Sequence, residues 1–144
     1  MTHSDAGNYK AKHPSGAKVD EMLARAVEKK AMNGVITCAD AEIIAGELQA
    51  TMQDVGVAAD LMEIRISKCQ LGLFGYSPGK IIVKPADTVS GELERAVREA
   101  LVNNRLPCAA AWNIAKKFTV PKMKVSSACE ALKIKIKPCQ LGAF

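Results

Sequence analysis

The sequence predicts a mainly helical protein of the α+β class, built as two tandem repeats. When the chain is shifted by 70 residues, positions 19–74 lie over positions 89–144 without a gap, and 20 of the 56 aligned pairs are identical. Within each copy, apolar residues recur at helical spacing over three segments and alternate with polar residues over a fourth. The repeat predicts a domain organisation of two similar units.

The repeat ends in a motif that is almost unchanged between the copies. Cys-Gln-Leu-Gly at 69–72 recurs at 139–142, and Phe74 matches Phe144. We interpret its apolar residues as core and its glycine as a turn. The predicted domains are a disordered arm over residues 1–18, an acidic first repeat with three helices and a hairpin over 19–84, and a basic second repeat over 85–144.

Three helices are predicted in the second copy. The first lies within 89–104, with Thr88 or Ser90 as its N-cap. Pro107 suits the start of the second helix, because proline in the first turn loses no needed donor. A turn follows, and then a third helix over 122–133.

Each third helix is followed by a predicted strand. In the second copy, residues 134–138 alternate isoleucine and lysine, which indicates a strand with one buried face. In the first copy, residues 64–68 and 80–84 are two such pieces separated by Gly75, Pro78 and Gly79. This arrangement predicts a β-hairpin in the first copy and a single terminal strand in the second.

The second and third helices of each copy resemble a helix-turn-helix of the DNA-binding type. Ala115 is the small residue expected where the two helices cross, Thr119 lies at the turn, and Val125 and Ala128 are apolar anchors on the next helix. The first copy matches with Ala45, Ala50, Val55 and Ala58, while Gln49 and Thr119 stand where glycine is usual. The resemblance, together with the following strand, is to winged or excisionase-like variants and implies tandem DNA-binding units.

Charge separates the two copies. Residues 19–74 carry five Lys/Arg and nine Asp/Glu, whereas residues 89–144 carry ten Lys/Arg and four Glu. A shared fold with opposite surface charge indicates different partners, and the basic copy suits a polyanion.

The leading hypothesis is therefore a cytoplasmic transcription regulator whose second repeat contacts double-stranded DNA. Basic side chains would meet phosphates, while Ser126 and Ser127 would approach base edges in the major groove. The candidate DNA-binding residues are Lys116, Lys117, Lys122, Met123, Lys124, Ser126, Ser127, Lys133, Lys135 and Lys137. The matching helix of the first copy lacks those lysines and is expected to hold a homodimer mate or a partner protein.

Two alternatives stay open. One is a protein–protein interaction or adaptor module with no nucleic-acid role. The other is a redox or metal sensor, because Cys38 and Cys69 are separated by 31 residues, as are Cys108 and Cys139, and each pair joins a helix start to a strand end. No CxxC motif is present, and free cysteines usually pack in the core, so packing is the more usual role for these thiols.

Other classes lack sequence support. Both histidines, His3 and His13, lie in the predicted arm, so no Ser–His–Asp set is expected and the protein is interpreted as a non-enzyme without a cofactor. The polar N-terminus has no apolar core of a secretory signal, and no apolar run reaches the roughly 20 residues of a membrane span.

Overall fold

The computed structural model describes residues 8–14, 16–77 and 79–143. These residues form six α-helices, a 3-10 helix and two short strands, which confirms the prediction of a mainly helical α+β protein. Residues 1–7 and Ser15 of the predicted arm, Pro78 of the predicted hairpin and Phe144 of the repeated motif lie outside the described residues.

The chain divides into two compact units whose boundaries differ from those of the sequence repeats. Unit 1 comprises Met1–Cys69 together with Gln140–Phe144, and unit 2 comprises Gln70–Cys139. The predicted boundary at residues 84 and 85 is therefore replaced by one inside each CQLG motif. The residues that follow the cysteine in each motif therefore belong to the unit formed mainly by the other repeat.

Unit 1 contains most of the first repeat. Two of its helices begin with capping boxes, in which Thr37 pairs with Asp40 and Thr51 pairs with Asp54. These two acidic residues of the first repeat therefore serve helix initiation. The elements are a 3-10 helix at Tyr9–Lys12, α1 at Glu21–Lys30, β1 at Val35–Thr37, α2 at Cys38–Leu48, α3 at Met52–Leu61 and β2 at Arg65–Ser67.

The hairpin predicted for the first copy is wrong. Strand β2 pairs in parallel with β1, with Val35 opposite Arg65 and Ile36 opposite Ile66. The helices α2 and α3 lie between the two strands in sequence and form the crossover that parallel pairing requires. Residues 80–84 form no strand, and the amides of Ile82 and Val83 instead donate to the carbonyl of Gly72.

Part of the predicted arm is folded onto unit 1. Tyr9 is buried, and the backbone amides of Tyr9 and Lys10 donate to the Glu63 carboxylate at 2.9 and 2.7 Å. His13 Nε2 lies 2.8 Å from Asp60 Oδ2 on helix α3. The disordered-arm prediction is therefore wrong for residues 9–13. The prediction relied on the polar composition of the arm and did not foresee that Tyr9 is buried and that Lys12 and His13 pair with Asp60.

The C-terminal segment packs on the same helix of unit 1. Leu141 and Ala143 are buried, and the Leu141 backbone lies directly against Gly56 of α3. Lys12 Nζ connects this segment to α3, since it donates to the Gly142 carbonyl at 3.1 Å and pairs with Asp60 Oδ2 at 3.0 Å.

Unit 2 repeats the three-helix arrangement with different caps. Ser90 is the N-cap of its first helix, as one of the two predicted candidates, and Pro107 and Pro121 stand at the N-caps of the next two. Thr119 ends the second helix in the left-handed region, which is the sharp turn that a helix-turn-helix needs. The helices are α4 at Gly91–Glu99, α5 at Cys108–Phe118 and α6 at Lys122–Leu132.

The terminal strand predicted for unit 2 is reduced to a single parallel bridge between Leu106 and Ile136. The Leu106 amide donates to the Lys135 carbonyl at 2.9 Å, and the Lys137 amide donates to the Leu106 carbonyl at 2.9 Å. The bridge occupies the position of β1 and β2 in unit 1, so the two units share a topology.

Candidate nucleic-acid interface

The face of α6 that was expected to read bases is covered within unit 2. Ser126 is fully buried, and its hydroxyl lies 2.7 Å from the Leu71 carbonyl and 3.1 Å from the Met123 carbonyl. Ser127 is half-buried, and its carbonyl accepts the Ala86 amide at 3.0 Å. Base contacts by Ser126 are therefore excluded in this structure, because Leu71, Gly72 and Ala86 lie against that side of the helix.

Lys122 and Met123 also serve the packing of residues 70–72 on α6. Lys122 Nζ donates to Gln70 Oε1 at 2.9 Å and lies 3.9 Å from the centre of the Trp112 ring. A cation above an aromatic face is stabilised by the ring quadrupole. Met123 Cε lies so close to Gly72 that a side chain at residue 72 would meet it at 3.0 Å. Lys122 and Met123 are both half-buried.

Replacing Ser126 with alanine tests this reassignment. We expect a loss of stability of about 1–3 kcal/mol, because the buried Leu71 carbonyl loses its hydroxyl donor. Thermal unfolding measures this loss, and duplex affinity of the folded variant should equal that of the wild type. A variant of unchanged stability with weakened duplex binding would instead support the original base-reading role.

Six of the predicted lysines are exposed. Lys116 and Lys117 end α5, and Lys124 lies in the first turn of α6, so these three flank the turn between the two helices. Lys133, Lys135 and Lys137 follow the end of α6. No described carboxylate forms an ion pair with any of these six.

A second basic residue faces the same side as two of these lysines. Leu106 and Ile136 point into the core of unit 2, so their neighbours Arg105, Lys135 and Lys137 point outward, and all three are exposed. Arg105 and Lys135 directly precede Leu106 and Ile136, the two residues joined by the parallel bridge. We call residues 105–107 and 135–137 the basic ribbon.

The charge of the basic ribbon is unfavourable for unit 2 alone. Arg105 and Lys135 both lie next to the Leu106–Ile136 bridge, so two like charges stand close to each other, and like charges repel. Among the described residues, neither has an ion-pair partner. The equivalent positions of unit 1 are Val35 and Arg65, which carry one charge.

The ribbon begins at a tight turn that the sequence reading missed. The amide and carbonyl of Val102 bond to the carbonyl and amide of Arg105 at 2.8 and 3.0 Å. Asn103 and Asn104 have φ of 53° and 63°, as in a type I′ turn. The sequence predicted a helix within residues 89–104, so the turn was not expected there, whereas α4 ends at Glu99. Asparagine pairs between apolar residues were the available signal.

The burial and positions of the cysteines give limited support to a redox or metal sensor. Cys38, Cys69 and Cys108 are buried, and Cys139 is half-buried. The Cys108 amide donates to the Pro138 carbonyl at 3.0 Å, so the start of α5 does meet the end of the ribbon. Burial, with a smaller contribution from Glu130, raises the pKa of Cys129 to about 11, which keeps this thiol protonated and unreactive at neutral pH.

Metal and membrane sites are not indicated by the described part of the chain. There, no three His, Cys, Asp or Glu side chains are grouped so that they could hold a metal ion. Among the helices described, none combines the length and the apolar character needed to cross a membrane.

The two units differ in charge. Unit 2 carries twelve Lys/Arg and five Asp/Glu, whereas unit 1 carries eight and ten. No protein-family model matches the chain, and neither a curated protein nor a solved structure shows significant similarity to it.

Proposed function

We propose that unit 2 binds double-stranded DNA through phosphate contacts made by the basic ribbon. The observation that carries this proposal is the outward row of Arg105, Lys135 and Lys137, which faces solvent with no carboxylate partner among the described residues. A polyanion relieves the repulsion within this row, because each phosphate neutralises a cation and releases condensed counterions.

The exposed lysines near the turn between α5 and α6 extend the basic surface. Lys116, Lys117 and Lys124 are exposed, and Lys133 precedes the ribbon in sequence. Phosphate contacts of this kind carry no sequence information themselves. The proposal therefore keeps the DNA-binding hypothesis and moves the contact from the buried face of α6 to the ribbon and its neighbouring lysines.

A salt-dependent titration tests the proposal. A fluorescent random duplex is titrated at about 50 mM and about 200 mM salt, where four phosphate contacts would cost on the order of a hundredfold in affinity. The double variant Lys135→Glu/Lys137→Glu should bind at least about tenfold more weakly and reduce the slope of log affinity against log salt by about 2.

The control variant makes the same change in net charge at two lysines outside the basic ribbon. Lys18 and Lys29 are exposed residues of unit 1, so Lys18→Glu/Lys29→Glu removes the same charge away from the ribbon. We expect this control to bind nearly as well as the wild type. Equal losses in both double variants would reduce the effect to net charge, and weak, salt-independent binding by all three proteins would favour a partner-protein role.

A further inference from the structure

We infer that the turn at residues 102–105 enters the minor groove of the duplex, where Asn103 and Asn104 read A·T-rich sequence. The inference rests on the proposed function, because it needs the basic ribbon to hold the phosphates beside that groove. It adds a source of sequence preference that phosphate contacts lack.

Asn104 is not the residue that the turn itself prefers. Both central residues of a type I′ turn have positive φ, and Asn-Gly is the favoured pair because glycine bears no Cβ. Unit 1 has this pair, with Asn33 and Gly34 at φ of 55° and 76°. Unit 2 has Asn104 at the second position with φ of 63°. Glycine at position 104 would therefore give a more stable turn than asparagine does.

Asn104, which is unfavourable for the turn, also adjoins the like charges of the basic ribbon. It is followed directly by Arg105, which together with Lys135 precedes the bridged residues Leu106 and Ile136. Turn chemistry and charge placement are thus both unfavourable at one end of the ribbon. Sites where several local rules fail together are typical of function, since the fold does not account for them.

The turn presents hydrogen-bonding groups that the rest of the described chain does not use. Val102, Asn103, Asn104 and Arg105 are all exposed, and neither asparagine side chain forms a hydrogen bond within the described chain. The two backbone hydrogen bonds between Val102 and Arg105 hold the chain reversal tightly. The turn therefore projects two unengaged amides from a fixed, narrow tip, with cations directly behind it.

The minor groove matches these features. It is about 6 Å wide and bordered by phosphates, and its A·T pairs display only acceptors, at A N3 and T O2. Amide NH₂ groups donate to such acceptors, while the G 2-amino group obstructs them, and asparagine and arginine are among the residues that read this groove. The major groove is less suitable, because α6 has its small polar face buried against residues 70–72.

The test uses the full chain and matched duplexes that differ only in their central base pairs. One core has A·T pairs, one has G·C pairs, and one has inosine·C pairs, which remove the 2-amino group and leave the major groove close to that of G·C. We expect the wild type to bind the A·T and inosine·C cores alike and the G·C core roughly tenfold more weakly, as for loss of about one specific contact.

The variant Asn104→Gly separates a reading role from a structural one. It gives unit 2 the Asn-Gly pair of unit 1, so its melting temperature should rise. Its preference for the A·T core should nonetheless fall to within about twofold, because the base contact of this residue is lost. The steep salt dependence should remain, since the ribbon lysines are intact.

Two matched substitutions complete the design. Asn103→Ala and Asn33→Ala change the same residue type at φ of 53° and 55°, so their conformational costs are similar. Only Asn103→Ala should reduce the A·T preference. Equal affinity of the wild type for all three cores, or an unchanged preference in Asn104→Gly, would overturn the inference and leave the proposed function intact. Absence of salt-dependent binding to every core would overturn both.

Discussion

Replacing Leu71 with alanine is expected to destabilise unit 2, although Leu71 belongs in sequence to the first repeat. Its side chain is fully buried in unit 2, next to the carbonyl that meets Ser126 of α6. Removing a buried leucine side chain costs about 2–5 kcal/mol through lost transfer energy and the cavity left behind. Native-state hydrogen exchange should show lost amide protection in α6 before α3.

The reciprocal substitution should act on unit 1. Leu141 is 2% exposed and packs on α3, so Leu141→Ala is expected to lower the protection of α3 by a similar amount. Ile81 is 61% exposed, and Ile81→Ala should change stability by less than about 0.5 kcal/mol. Loss of protection in the unit that matches the sequence repeat, α3 for Leu71 and α6 for Leu141, would contradict the exchange of CQLG segments.

Local sequence rules predicted the helices well, because each helix carries its own signals. Ser90 and Pro107 mark helix starts, and the turn position of the helix-turn-helix pattern falls on Gln49 and Thr119, which both adopt positive φ. Such signals act within a few residues and need no tertiary partner. The turn between the second and third helices of each unit followed from them.

The exchange of the CQLG segments was not predictable from the repeat. The two motifs are identical over four residues, so either copy fits either third helix equally well on pattern alone. What separates them is the facing residue, Gly56 in α3 and Ser126 in α6, and this pairing is visible only in three dimensions. The parallel pairing of β1 and β2 was missed for a related reason, since a short strand does not specify its partner.

Part of the candidate site was predicted from charge alone. Six of the ten residues first assigned to DNA are exposed lysines, because a lysine rich segment is rarely buried. The base-reading assignment of Ser126 failed because it depended on which face of α6 is covered, and the covering residue Leu71 belongs to the other repeat. Arg105 was missed because its place beside the Leu106–Ile136 bridge depends on a contact between residues 30 positions apart in sequence.

A methyl group added at Gly56 is expected to destabilise unit 1 by about 3 kcal/mol, the upper range for overpacking in a rigid core. Its Cβ would lie 2.8 Å from the Leu141 carbonyl carbon and 2.9 Å from the Leu141 Cα. These are backbone atoms, so no side-chain rotation relieves the overlap. Thermal or denaturant unfolding of Gly56→Ala measures the effect.

The chain contains a matched control of opposite expected sign. Gly46 lies within α2, is exposed, and has no atom within 4 Å of an added Cβ. Gly46→Ala should therefore stabilise unit 1 by about 0.5–1 kcal/mol, because alanine loses less backbone entropy than glycine in a helix. If both substitutions destabilise the protein, the cause would be a general sensitivity of these helices to substitution and not contact of Gly56 with the C-terminal segment.

Combining Gly56→Ala with removal of residues 140–144 isolates the contact with the C-terminal segment. If the Leu141 backbone is what the new methyl group meets, the substitution should cost nothing in the shortened chain, and the usual helix preference for alanine should make it slightly favourable. The difference between the two contexts is the coupling energy of Gly56 with the segment. A penalty that persists after the segment is removed would show that Gly56 meets some other part of unit 1.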